Sequence, residues 1–211
     1  MQTAPNSICF IFVNLIYYMK TYIMYGTWLL LAACSSSNDK AKLPIQSQGP
    51  LEKSANSDVF NRSFGKLLEG YYSLKENFVE EKDSLITQSA KSLMVSVDSL
   101  EIDSLKADSN IVATAKTYTQ GMSSELKGLL GEKDIEAKRK SFQMLGDQLY
   151  DLIRTVQYDK TVIYLYFCPM AFNHQGANWL SNSVEIRNPY IPKKMLTCGE
   201  VKDSINYLPR Q

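Results

Sequence analysis

Four stretches of the chain repeat apolar side chains every three or four residues, which is the period of an amphipathic helix. They cover residues 60–78, 86–100, 111–129 and 135–156. Each follows polar residues that favour a helix N-terminus, namely Ser57 or Asp58, Asp83-Ser84, Asp108-Ser109-Asn110 and Asp134. Short polar links separate the stretches, so the sequence predicts a mainly all-α fold, an up-and-down four-helix bundle.

The composition changes after Tyr158. Residues 161–167 are β-branched or aromatic and lack a helical period, so we expect a strand there. The remainder is rich in proline and glycine and is expected to be loop-like, with a helical turn over 201–205. The sequence thus predicts one domain, with the bundle over 57–158 and a short strand/loop C-terminal cap over 159–211.

The first 33 residues have the features of a secretory signal and are left out of the fold prediction. Met19-Lys20 is a charged start and Tyr22 to Leu31 an apolar core, so residues 1–18 are interpreted as read-through from an upstream start codon. A transmembrane helix from Ile8 to Ala33 is the alternative, because that span is long enough. It would hold Lys20 near the middle of the bilayer, where a cation is costly.

The last three residues of the signal region (19–33) and the residue after it read Leu31-Ala32-Ala33-Cys34. This segment resembles the end of a bacterial lipoprotein signal. The resemblance implies cleavage before Cys34, lipidation of Cys34 and a membrane anchor facing the periplasm. A serine follows Cys34, and this resembles sorting to the outer membrane. Residues 34–56 are polar and are expected to form a flexible tether between the lipid and the domain.

The charge pattern and the motif content narrow the function classes. The chain has 23 basic and 22 acidic residues without a basic stripe, so no nucleic-acid partner is expected. No enzymatic activity is expected either, because the sequence has one histidine, no glycine-rich phosphate loop and no nucleophile elbow. A Cys168 nucleophile with His174 as its base would lack an orienting group.

The predicted cap is rich in sulfur, which is present in Cys168, Met170, Met195 and Cys198. Thiolate and thioether ligands suit soft ions, above all Cu(I), with Zn(II) as the next candidate. Cys168 and Met170 would point the same way on an extended segment, and Met195 and Cys198 would face together on one helical turn. These four residues are therefore the candidate ligands of a soft-metal site.

Two alternatives stay open for the cysteines. In an oxidising compartment Cys168 and Cys198 would pair as a disulfide, which would remove both thiolates. On the chain-entropy account that link would stabilise the fold by about 3–4 kcal/mol. The second alternative is a pair of free buried thiols.

Three further residues of the cap have a structural and a functional interpretation. His174 lies in a polar loop and is expected to be solvated rather than a ligand. Trp179 and Tyr190 either cover the open end of the bundle or form an exposed face for a partner.

Four segments of the tail carry a family resemblance, and they are CPMAFN at 168–173, GANWLS at 176–181, EIRNPY at 185–190 and MLTCG at 195–199. They resemble an uncharacterised bacterial domain family. That family occurs as small lipoproteins and as the C-terminal extension of periplasmic adaptor subunits of Cus-type heavy-metal efflux pumps. The resemblance covers about residues 60–206 and is dense over 164–201. Ile191-Pro192 departs from it, because the family pattern has Phe-Gly there.

The resemblance implies a helical bundle with a cysteine-bearing tail that handles copper or silver in the periplasm. The ligand candidates that match are Cys168, Met170, Met195 and Cys198. The first hypothesis is therefore a lipid-anchored periplasmic module that binds a Cu(I)-like ion as an accessory to heavy-metal efflux, with an efflux adaptor as its partner. The alternative is a structural or interaction lipoprotein domain that holds no metal and is stapled by a Cys168–Cys198 disulfide.

Overall fold

The computed structural model describes residues 56–208, so the signal region, Cys34 and nearly all of the tether lie outside the described residues. The described part contains four long helices, which are α1 (Asp58–Val79), α2 (Asp83–Asp98), α3 (Ser109–Gly131) and α4 (Ile135–Val156). A three-stranded sheet follows, made of β1 (Ile163–Cys168), β2 (Ala177–Ser181) and β3 (Glu200–Ile205). The prediction of a mainly helical bundle with a strand-bearing C-terminal cap is confirmed.

The helices begin where the sequence places their polar caps. Ser57 Oγ accepts the amide hydrogen of Phe60 at 3.1 Å, and a carboxylate oxygen of Asp134 accepts that of Ala137 at 2.9 Å. Asp108 caps α3 in the same way. These bonds pair amide groups that have no partner within the helix. The second helix does begin at Asp83, but no side chain caps it.

Neighbouring helices pack in chain order, so that α1 lies against α2, α2 against α3 and α3 against α4. The apolar positions of the helical repeat face inward and are buried. A short 3₁₀ turn (Ile102–Ser104) helps to close the link between α2 and α3. Short links between consecutive helices favour this antiparallel arrangement. Among the helices that the structure describes, none is both long and apolar enough to cross a bilayer.

The sheet has β1 at its centre, paired antiparallel with β2 on one side and with β3 on the other. The predicted strand over 161–167 is observed as β1. The predicted helical turn over 201–205 is wrong, because that segment is β3. Both edges of β1 carry amide and carbonyl groups that need partners, and β3 pairs with one of these edges. This pairing lies between distant parts of the chain and overrides the local preference of a charged, mostly exposed segment.

The strand β2 joins the sheet to both α1 and α4. Its Leu180 amide donates to the Tyr71 hydroxyl at 3.2 Å, while the Asn178 side-chain amide donates to the Asp147 carboxylate at 3.2 Å. The Tyr71 ring stacks on Phe142 with 5.1 Å between ring centroids. Since Tyr71 lies on α1 and Phe142 on α4, aromatic packing fills the space between the two helices on which β2 rests.

Phe142→Ala tests how far the domain depends on this aromatic packing. The side chain is 0% exposed and its ring contacts the rings of Tyr71, Phe78 and Tyr190. We expect the substitution to lower the free energy of unfolding by about 3–5 kcal/mol, because a large buried ring leaves a cavity. Urea unfolding followed by circular dichroism measures this loss.

The matched control is Met144→Ala on the same helix, where the side chain is 53% exposed. It should change stability by less than about 0.5 kcal/mol. Equal losses in the two variants would contradict the packing account.

Candidate functional site

The two cysteines of the tail meet at one end of the sheet. Cys168 is the last residue of β1, and Cys198 lies two positions before β3. The pairing of Phe167 with Glu200 brings the end of β1 alongside the residues that lead into β3. The two side chains lie close enough to interact with each other, and both are free thiols. The pairing of β1 with β3 therefore brings together two sulfur atoms that are distant in the sequence.

Burial differs between the two thiols. Cys168 is 0% exposed and belongs to the hydrophobic core, whereas Cys198 is half-buried. Burial raises the pKa of the Cys198 thiol above its ordinary value, and the contact with Cys168 raises it further. A hydrogen bond from the backbone amide of Met170 to the Cys198 sulfur acts in the opposite direction. Cys198 is therefore a protonated thiol at neutral pH, with one amide already directed at its sulfur.

Met170 contributes to the site through its backbone, and its half-buried side chain packs against the core. The backbone at Met170 has φ −86° and ψ −12°, which is a helical and not an extended conformation. The prediction that Cys168 and Met170 point the same way along an extended segment is therefore wrong. The chain turns directly after Pro169, and this turn brings the amide of Met170 to Cys198.

Met195 lies close to the thiol pair along the backbone, and its side chain is at the surface. It ends a single helical turn (Pro192–Met195), so Cys198 lies outside that helix and the prediction that both residues share one helical turn is wrong. The Met195 carbonyl accepts the amide hydrogen of Cys198 at 3.1 Å. The Met195 side chain is 43% exposed, and the side chain of the next residue, Leu196, is 38% exposed. The half-buried Cys198 thus follows an exposed, partly apolar turn that carries a thioether.

His174 is exposed, so the prediction that it is solvated is confirmed. It lies in a left-handed turn together with Phe172 and Asn173, with φ of 50°, 55° and 68° for residues 172, 173 and 174. Side chains in this conformation cost about 1–2 kcal/mol each. Packing of the Phe172 ring against Tyr190 and a hydrogen bond from the Gly176 amide to the Ala171 carbonyl hold the turn in place.

Of the two interpretations of Trp179 and Tyr190, the exposed partner face is wrong, because each side chain is only 1% exposed. Trp179 stacks on Tyr166 with ring centroids 5.3 Å apart and meets Tyr190 edge-on at 6.1 Å. A Cβ atom at Gly199 would lie 2.5 Å from the Trp179 ring. Gly199 therefore lets the chain pass close to this ring immediately after Cys198, and the aromatic residues support the site from inside.

Ion pairs attach the loop before Cys198 to the bundle. Arg187 Nε donates to the carboxylate of Glu76 on α1 at 2.8 Å. Arg139 on α4 donates to the Pro189 carbonyl at 2.9 Å and pairs with Glu81. Arg139 is 3% exposed, so its hydrogen bonds are shielded from water. The local sequence does not predict the burial of Arg139, since a charged residue is expected at the surface.

The donor chemistry of the site is soft. Within the described residues there is no group of three or more His, Cys, Asp or Glu side chains that could hold a metal ion. The donors that do come together are the two thiols of Cys168 and Cys198, with the thioethers of Met170 and Met195 on adjoining segments. This set fits a thiophilic ion such as Cu(I) better than an ion that prefers oxygen ligands.

The fold and site define a helical-bundle domain whose small C-terminal sheet carries a pair of contacting thiols. Residues 67–161 match the family model described as "Protein of unknown function (DUF3347)". The matched segment covers most of α1 and all of α2, α3 and α4, and it ends before β1. The chain is thus similar, over its helices, to a family without an assigned function. No curated protein and no solved structure matches the chain.

Differential alkylation tests the environment of the two thiols. Iodoacetamide should modify Cys198 more slowly at pH 7 than it modifies a cysteine in a short peptide, because the raised pKa leaves less thiolate. The rate should increase with pH beyond the range in which the peptide thiol has levelled off. Cys168, which is 0% exposed, should react more slowly still. Mass spectrometry of the separate peptides measures both rates, and Cys198 reacting faster than the peptide thiol at pH 7 would contradict this environment.

The Glu76–Arg187 pair predicts a loss of stability in acid. Although burial raises the pKa of Glu76, hydrogen bonds and positive charge from Lys75 and Arg187 outweigh it and bring that pKa below its ordinary value. A lowered folded-state pKa stabilises the fold above the unfolded-state value of about 4.3, and this contribution is lost as the pH falls through the folded-state value.

Glu76→Gln should therefore lower stability at pH 6 and weaken the fall in stability between pH 6 and pH 3. Urea midpoints measured across that range provide the comparison. Glu132→Gln, at an exposed position between α3 and α4, is the control and should follow the wild type. A pH profile of Glu76→Gln parallel to that of the wild type would contradict the assignment.

Proposed function

We propose that this chain is a lipid-anchored, extracytoplasmic binding module that holds a soft metal ion of the Cu(I) type through the thiolates of Cys168 and Cys198. The observation that carries the proposal is the approach of these two side chains where β1 pairs with the start of β3. Two thiolates at one site supply the ligand type that such an ion prefers. A binding module also needs no acid–base machinery, and the proposal assigns the chain no catalysed reaction.

The residues around the thiol pair have separate parts in this proposal. Cys168 and Cys198 are the primary ligands, and the thioethers of Met170 and Met195 are candidates for additional ligands. Binding requires the thiols to lose their protons, so uptake of the ion releases protons. Zn(II) is the weaker candidate, because it favours four ligands of nitrogen, sulfur or oxygen. The exposed His174 is not included in the ligand set.

Location and partner belong to the same proposal and rest on the sequence. The Leu31-Ala32-Ala33-Cys34 pattern supports a lipid on Cys34 and an anchored domain facing the periplasm, with the outer membrane as the expected site. The resemblance of the tail to extensions of heavy-metal efflux adaptors supports a periplasmic adaptor as the partner. In this role the domain would sequester a toxic ion or pass it to the efflux pump.

The contact between Cys168 and Cys198 also favours a second candidate, a structural domain that is stapled by a disulfide. Two adjacent thiols in an oxidising compartment are suited to form that bond. The staple would hold β3 and the loop before it against β1. The two candidates differ in the redox state of the pair and in metal uptake after reduction.

Cu(I) binding by the reduced protein is the test of the proposed function. The wild type should compete with a colorimetric Cu(I) chelator for one equivalent of the ion. Cys168→Ser and Cys198→Ser should each bind Cu(I) on the order of 100-fold more weakly, because each removes one of two thiolate ligands. Met195→Leu replaces the thioether with an apolar side chain of similar volume. Weaker Cu(I) binding in this variant would identify Met195 as a direct ligand, and unchanged binding would show that it is not one.

The redox state of the protein purified without reductant separates the two candidates. Peptide mapping under non-reducing conditions should recover Cys168 and Cys198 as free or metal-bound thiols if the metal proposal holds. A complete Cys168–Cys198 link, together with no Cu(I) uptake after reduction, would reject metal binding in favour of the staple.

Ser124→Ala, at an exposed position on α3, is the control for the Cu(I)-binding test and should leave binding unchanged.

A further inference from the structure

The chain segment that leads to Cys198 is held by one buried side chain, that of Asn188. This residue is 0% exposed, although it lies in a loop next to a proline. Its Nδ2 donates to the carbonyl of Cys198 at 2.7 Å, and its backbone amide donates to the carbonyl of Leu196 at 2.8 Å. Asn188 therefore attaches directly to the residue that carries the half-buried thiol.

The acceptor end of the same side chain holds the near part of the loop. Asn188 Oδ1 accepts the amide hydrogen of Tyr190 at 2.8 Å and that of Ile191 at 3.2 Å. Such turns are typical of Asn, whose side chain can replace a backbone group. One side chain thus holds the backbone at both ends of the segment from Tyr190 to Cys198.

Asn188 is itself anchored to two helices through its neighbours. The residue before it, Arg187, pairs with Glu76 on α1. The carbonyl of the residue after it, Pro189, accepts a hydrogen bond from Arg139 on α4. Because both flanking residues are tied to the bundle, the hydrogen bond from Asn188 links the position of Cys198 to a rigid part of the fold.

The geometry points to Asn188 as a positioning residue that holds Cys198 against Cys168 and thereby sets the affinity of the thiol pair for a soft metal ion. This inference rests on the proposed function for its metal readout, whereas the contact between the two thiols can be tested without metal. The hydrogen bond to the Cys198 carbonyl needs a donor, which an amide has and a carboxylate at neutral pH lacks. Groups that orient metal ligands typically change affinity by about 10- to 100-fold when they are removed.

Asn188→Asp tests the donor specifically. The substitution keeps an oxygen to accept from Tyr190 and Ile191, but it places a second oxygen opposite the Cys198 carbonyl. Asn188→Ser is the milder variant, because its hydroxyl is too short to reach that carbonyl and adds no charge. We expect Cu(I) affinity to fall by about 10- to 100-fold in both variants, measured by competition with a chelator.

Leu126→Ala is the control for a general loss of stability. Leu126 is 0% exposed on α3, which packs between α2 and α4. The substitution removes buried contacts from the bundle and should change Cu(I) affinity by less than about threefold while the protein stays folded. A similar loss of affinity in this variant would attribute the effect to stability and overturn the inference.

A second readout needs no metal. Diamide oxidises two thiols to a disulfide and takes up their two electrons and two protons as it becomes the hydrazine. The rate at which the Cys168–Cys198 link forms, followed by peptide mapping, reports how often the two sulfur atoms meet. We expect the link to form about tenfold more slowly in Asn188→Asp than in the wild type, because misplacement of reacting atoms slows their reaction.

The two readouts separate this inference from the proposed function. If the wild type binds no Cu(I) but Asn188→Asp still slows disulfide formation, the metal proposal fails and the positioning role of Asn188 is supported. If both Asn188 variants remain folded by circular dichroism and match the wild type in affinity and in oxidation rate, the positioning role is overturned.

Discussion

The structure depends on one buried junction, where the sheet meets the first and fourth helices. The Tyr71 hydroxyl accepts the Leu180 amide hydrogen, and its ring stacks on Phe142. Burial raises the pKa of Tyr71, so its hydroxyl stays neutral inside the core. A Cβ atom at Gly146 would come within 2.9 Å of that hydroxyl, so a glycine of α4 makes room for it. Without this junction β2 would lose its hydrogen bond to α1, and the pairing of β2 with β1 would be less well supported.

The thiol pair is a consequence of that junction. Cys168 ends the central strand of a sheet that is fixed to the bundle through β2, and the β1–β3 pairing brings the segment before β3 alongside it. The left-handed turn over residues 172–174 has an unfavourable backbone conformation for residues other than glycine. It persists because the packing of Phe172 and the anchored β2 strand constrain both of its ends. The site thus draws on the stability of the bundle to hold an irregular part of the chain in place.

The chemistry of the pair follows from its partial burial. A thiol with a raised pKa holds its proton at neutral pH, so it reacts slowly as a nucleophile and is a good ligand only when a metal ion displaces that proton. The Met170 amide directed at the Cys198 sulfur would favour the thiolate once it forms. The proposed metal ion and a disulfide would compete for the same two sulfur atoms, and the redox state of the compartment would decide between them. Asn188 would serve either use, because each requires Cys198 to be held beside Cys168.

The four helices could be predicted from the sequence because their determinants are local: an apolar repeat of 3.6 residues and polar caps such as Ser57 and Asp134. The presence of soft donors in the tail was equally readable, since residue type alone establishes it. Strand β3 was not predictable, because its exposed, charged residues show no burial pattern and it forms only by pairing with β1. Whether Cys168 and Cys198 would meet was likewise decided by tertiary structure. Strand register acts between distant parts of the chain, and no local pattern encodes it.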